Sequence, residues 1–122
     1  MGRVLVVDDE FEACKVLEEF LTLKGFEVHT AFDGPRALEE VVEFKPHIVL
    51  LDINMPGMDG VEVLQEIRKR DAAIGVIMVT VVSDHERAKR ILKLGAFDYI
   101  TKPVDLDYLE NVVMVKAIDL QC

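Results

Sequence analysis

Four apolar stretches of the chain run into residues that can do chemistry. "RVLVVDDE" (Arg3–Glu10) stops in Asp8 and Asp9, and "PHIVLLDINMPGMDG" (Pro46–Gly60) turns polar at Asp52. "VIMVTVV" (Val76–Val82) carries Thr80, and "FDYITKP" (Phe97–Pro103) leads into Thr101 and Lys102. Taken singly, each has an ordinary explanation. An Asp after a strand is most often a turn former or a helix cap, Thr80 is a strand residue and Lys102 a solvated charge. The joint pattern is more telling: acids end two strands, a hydroxyl ends a third and a lysine a fourth. Carboxylates that meet at one edge repel each other, and a hard divalent cation removes the conflict. Mg²⁺ suits such a place, because it takes few protein carboxylates, several waters and often a phosphate. Lys102 can pair with Asp52 or with a phosphoryl oxygen, and Thr80 adds a hydroxyl donor. A carboxylate nucleophile, a metal and charge-stabilising donors are the parts that phosphoryl transfer needs.

Helical and strand signals alternate along the chain, which predicts an α/β domain with a parallel sheet. The first strand is expected at Val4–Asp8. A helix follows over Phe11–Lys24, with Phe11, Cys14, Leu17 and Leu21 on one stripe and Gly25 as its stop. Phe26–Ala31 alternates apolar and polar residues as an edge strand does. Asp33-Gly34-Pro35 opens a second helix that runs to about Phe44, with Pro35 at the first helical position. The third strand is His47–Asp52, and a third helix starts near Gly60 with Val61, Leu64 and Ile67 inward. Val76–Thr80 forms the fourth strand. Ser83 and Glu86 read as a capping box for a fourth helix, which runs to Leu94 and ends at a left-handed Gly95. Phe97–Thr101 is the fifth strand. Asp105 caps the last helix, with Val104 and Leu109 spaced as a hydrophobic staple. Strands one, three and four are almost wholly apolar and so belong in the centre, covered on both faces. In such doubly wound sheets ligands bind at the carboxyl ends of the strands, where strand order reverses. The acids end strands because that edge is a site.

The 122 residues suffice for one domain, 1–122, with a real core. No apolar run approaches the ~20 residues of a membrane span, and the N-terminus lacks a signal-peptide pattern. The net charge of −9 argues against this domain gripping nucleic acid by itself. Cys14 and Cys122 make no metal pair and no disulfide framework, and a cytoplasmic setting is expected. Cys14 reads as a small core residue. His29, His47 and His85 are scattered and form no ligand cluster. The basic run Arg87, Lys89, Arg90 and Lys93 reads first as a solvated helix face, and more sharply as a docking face for an acidic partner.

The segments "VLVVDDE", "DINMPGMDG", "MVT" and "YITKP", in this order and spacing, resemble the receiver domain of two-component response regulators over essentially the full chain. The resemblance implies a flavodoxin-like, doubly wound sheet of five parallel strands in the order 2-1-3-4-5 with five helices. It implies that Asp52 is the phosphoacceptor for a sensor histidine kinase or phosphotransfer protein. Asp9 would bind Mg²⁺ (or Mn²⁺) directly, Asp8 largely through water, and the Asn54 backbone carbonyl would be a further ligand beside Asp52. Thr80 would bond a phosphoryl oxygen and Lys102 would pair with the phosphate. Lys102-Pro103 takes the place of the family's cis peptide, and Pro56 and Gly57 that of its tight loop. Tyr99 takes that of the aromatic switch residue, which turns inward as Thr80 moves. The face from helix four through strand five to helix five would then control an output domain or partner, a second copy of the chain included. The only catalysis implied is the domain's own phosphorylation and dephosphorylation. Val81 departs from the small residue usual after the switch hydroxyl, and Val82 is apolar where many relatives are polar. Both bear on access to Asp52 and on turnover.

Other readings fare worse. A phosphatase of the haloacid dehalogenase type needs a second Asp two residues after its nucleophile, where this chain has Asn54. A flavodoxin-like electron carrier needs a hydroxyl-rich phosphate loop after the first strand, where Asp8-Asp9-Glu10 would repel a phosphate lacking a metal. No Gly-rich nucleotide loop is present. A degenerate receiver that only binds partners would lack one of Asp9, Asp52 and Lys102, and all three are here. The chain stops just past the last helix, so no output domain is visible.

Overall fold

The computed structural model describes residues 2–53, 55, 59–80 and 85–121, without the side chains of 85, 87 and 118–121. Five strands and five helices alternate strictly. They are β1 (Arg3–Val7), α1 (Phe11–Leu23), β2 (Glu27–Ala31), α2 (Gly34–Glu43), β3 (Ile48–Asp52), α3 (Gly60–Arg70), β4 (Gly75–Thr80), α4 (His85–Lys93), β5 (Asp98–Thr101) and α5 (Leu106–Gln121). The strands pair in parallel in the order β2-β1-β3-β4-β5. Strand order therefore reverses between β1 and β3, the strands that lead into Asp8 and end in Asp52.

Alternate residues of the central strands feed two apolar layers. Leu5, Val7, Val49, Leu51, Val76 and Met78 face α2, α3 and α4 through Ala37, Val41, Leu64, Ile67 and Ile91. Val4, Val6, Ile48, Leu50 and Ile77 face α1 and α5 through Leu17, Leu21, Leu109 and Val113. Burial of both faces explains why β3 and β4 read as continuous apolar runs. Each such side chain contributes about 1.5–3 kcal/mol by leaving water. β2 is at an edge and alternates in burial, as its sequence predicts.

The expected caps are present where the residues are described. The Asp33 carboxylate accepts the Arg36 amide at 2.8 Å with Pro35 in the first turn of α2. Asp105 accepts the amides of Asp107 and Tyr108, and Val104 and Leu109 share one apolar layer. Gly95 has φ of +107°, the left-handed geometry that ends α4. Ser83 and its capping box lie outside the described residues.

Two expectations are corrected. Phe11 does not join the buried stripe of α1: it is 65 % exposed and leans on Phe32, itself 42 % exposed, ring centroids 5.9 Å apart. It begins the helix just past the end of β1 and belongs to neither apolar layer among the described residues. In α3 the fully buried apolar side chains are those of Val63, Leu64 and Ile67, while Val61 packs only partly against the core. Strands β1, β2, β3 and β5 also begin or end a residue inside the expected bounds. No helix among the described residues is long and apolar enough to cross a membrane.

Candidate functional site

Asp8 follows the last residue of β1, and its amide continues the ladder to the Ala31 carbonyl at 3.1 Å. It is buried, and each of its polar atoms is engaged. One carboxylate oxygen accepts the Glu10 amide at 2.9 Å, a short turn that leads the chain into α1. The other accepts from Lys102 Nζ at 3.2 Å. Its carbonyl accepts the Cys14 thiol at 3.3 Å, which ties the first turn of α1 to the strand end.

Asp52 closes β3, also buried, and accepts from the same Lys102 Nζ at 3.3 Å. The backbone just past it is packed closely. The Ile53 amide donates to Val79 O at 2.9 Å, and Gly60 at the start of α3 donates to Ile53 O at 3.3 Å. A Cβ at Gly60 would lie 2.6 Å from Ile53 Cα and 2.9 Å from Asp52 O, so only glycine lets α3 begin there. Sequence reasoning placed Gly60 merely at the helix start. Its closeness to the acid edge had no signal in the sequence beyond its residue type.

Thr80 is the buried last residue of β4, and its carbonyl accepts the Lys102 amide at 2.7 Å. That bond holds the ends of β4 and β5 together and brings Lys102, 94 residues from Asp8 in sequence, onto both acids. Lys102 was expected beside Asp52, and its equal hold on Asp8 is new. Burial pulls the Lys102 ammonium down, but its bonds to Asp8 and Asp52 and their charges outweigh that, and its pKa is raised. The Lys102-Pro103 peptide is cis. Asp9 is exposed, and Asp8, Asp9 and Asp52 each offer a carboxylate oxygen such that all three lie within 4.8 Å of one another. This all-oxygen donor set, with one member open to water, suits a hard cation that keeps part of its hydration shell. Tyr99 in β5 is half-buried against the layer formed with α2, α3 and α4. Asn54, Pro56, Gly57, Val81 and Val82 lie outside the described residues. His29 and His47 stay apart from the cluster: His29 pairs with Glu40, and His47 Nδ1 accepts the Arg3 amide.

A doubly wound parallel sheet with three carboxylates, a hydroxyl and a lysine at its switch point is the architecture of a receiver domain. The chain belongs to the response regulator receiver domain family, matching it over residues 4–114. It is 41 % identical over 121 residues to the regulatory protein AtoC of Escherichia coli K12, covering 99 % of this chain and 26 % of that one. It is 43 % identical over 116 residues to the transcriptional regulatory protein PrrA of Mycobacterium leprae, covering 95 % of this chain and 49 % of that one. The chain thus spans between a quarter and a half of the length of these relatives. Among solved structures it is similar to a CheY-like receiver domain protein of Methanospirillum hungatei, with a TM-score of 0.93, 29 % identity and coverage of 99 % and 97 %. It is also similar to NtrX of Brucella abortus, with a TM-score of 0.91 and 33 % identity, over 98 % of this chain and 27 % of that one.

Proposed function

We propose that Asp52 accepts a phosphoryl group from the phosphohistidine of a sensor kinase or phosphotransfer protein. The single observation that carries this reading is Lys102 Nζ held 3.2 Å from Asp8 and 3.3 Å from Asp52, within a three-carboxylate cluster at the switch point. An Asp52 oxygen attacks phosphorus, the P–N bond breaks, and the imidazole leaves with its electron pair. Lys102 exchanges its bond to the Asp52 carboxylate for one to a phosphoryl oxygen, and the Thr80 hydroxyl donates to another. Asp9 and Asp52, with the Asn54 carbonyl and Asp8 through water, would hold Mg²⁺ or Mn²⁺. The ion would supply charge neutralisation between the acids and the phosphoryl oxygens. Val81 and Val82 would tune access to Asp52 and the lifetime of the product.

The readout in this proposal is the surface of α4, β5 and α5. Thr80 drawn to a phosphoryl group vacates room for Tyr99, and that difference in contacts biases the surface toward an output domain or partner. The relatives AtoC and PrrA, both named as regulatory proteins, support a setting in the cytoplasm within a longer regulator. The test is acetyl phosphate with Mg²⁺, read by intact mass. One phosphoryl group should add to the wild type and none to Asp52→Asn. Undiminished incorporation in that variant would move the phosphoacceptor elsewhere.

A further inference from the structure

A cavity of about 310 Å³ opens beside the acid cluster, between α1 and the segment that joins β5 to α5. Its floor is the buried face of the central strands. One wall is Val16 and Leu17 of α1, the other Pro103 and Val104. Val16 is 54 % exposed, so the apolar wall reaches the surface. The volume falls in the range of small-molecule pockets, about 300–1,000 Å³. Apolar cavities of even about half this size stay dry and take up an aromatic ring.

Three charged residues also border it: Asp8, Glu10 and Lys102. Lys102 is already committed to Asp8 and Asp52. Glu10 is exposed and has no ion pair among the described residues. The border is therefore short of positive charge, in a chain that is acidic as a whole. We infer that this cavity is a binding site for a small cationic amphiphile, an aryl-alkyl ammonium, with its ring on the apolar walls and its ammonium at Glu10. Such a ligand needs neither Mg²⁺ nor a phosphoryl group, so its binding stands apart from the phosphoacceptor reading. It would lie against Asp8 and Lys102 and be sensed there.

The test is titration of the metal-free protein with 2-phenylethylammonium, followed by amide chemical shifts. Saturable shifts should centre on Val16, Leu17, Val104 and Lys102. 2-Phenylethanol, which keeps the ring and loses the charge, should bind about three-fold more weakly, the scale of one exposed ion pair. Ala13→Leu, which fills the cavity from α1, should abolish the shifts. Val16→Lys, a change at an exposed position that cannot unfold the core, should weaken them by repulsion. Absence of saturation, or saturation indifferent to both variants, would overturn the site. Equal binding of the alcohol and the ammonium would overturn its preference for a cation.

Discussion

Cys14 shows how one side chain ties the site to the stability of the fold. Burial pushes its thiol up from 9.0 to about 12, and the Asp8 charge adds to this. The folded protein therefore holds a proton that the unfolded chain releases. Its contribution is complete below 9.0 and is lost as pH rises toward about 12. Lys102 acts in the same sense at higher pH: its raised pKa gives a contribution that is full below 10.5 and lost as pH climbs through the folded value. Urea midpoints measured in steps from pH 8 to 11 should fall in the wild type, beginning near 9. In Cys14→Ala the decline should start later, near the lysine range. An identical profile in both proteins would mean that the thiol is not held protonated by the fold.

Elements meet at the acid edge with little tolerance. Gly60 lets α3 begin against the backbone of Asp52 and Ile53, so Gly60→Ala must push the helix away from β3. The expected cost is about 1–3 kcal/mol, the usual range for overpacking, read as a lower denaturant midpoint. Acetyl phosphate labelling of Asp52 should slow in the same variant, because a misplacement of about 1 Å can cost on the order of a hundredfold in rate. A full labelling rate would show that α3 relaxes without moving Asp52. The proposed switch belongs to the same scale. Thr80 ends β4 and Tyr99 lies in the neighbouring β5, half-buried rather than locked in the core. Beryllofluoride should shift amide resonances across α4, β5 and α5 in the wild type. Thr80→Ala should retain phosphorylation but show a reduced response there. A full wild-type pattern in that variant would break the proposed coupling.

For the whole molecule, charge is the governing quantity. A net −9 is spread over the surface, but three carboxylates converge at one edge. General screening by salt acts on the first, over a Debye length of about 8 Å at physiological ionic strength. A bound divalent ion would act on the second. Mg²⁺ should raise the melting temperature beyond NaCl of equal ionic strength, with about 2.7 kcal/mol of stabilisation at a hundred times its Kd. Asp9→Ala should remove that increment and, by relieving repulsion, raise the melting temperature of the metal-free protein. If the variant kept the full Mg²⁺ increment, the direct ligand would be another residue.

The sequence by itself determined the element order, the central place of β1, β3 and β4, the edge place of β2, and most caps. These follow from local rules: period-2 and period-3.6 apolar spacing, Asp33 and Asp105 before helices, Gly95 after one. It also marked Asp8, Asp9, Asp52, Thr80 and Lys102, because a charged or hydroxyl residue closing a buried run conflicts with burial unless it serves a site. Its error at Phe11 came from the same rules, since helical spacing says which face a residue shares but not where the layer beneath that face stops. Tertiary structure alone decided that Lys102 bridges two acids, that Gly60 must lack a Cβ, and that a cavity remains between α1 and the β5–α5 segment. The first and third of these depend on distances between segments far apart in the chain, and the second on how closely the start of α3 returns to the end of β3. Those distances are set by the register and twist of the assembled sheet, and no local pattern of residues encodes them.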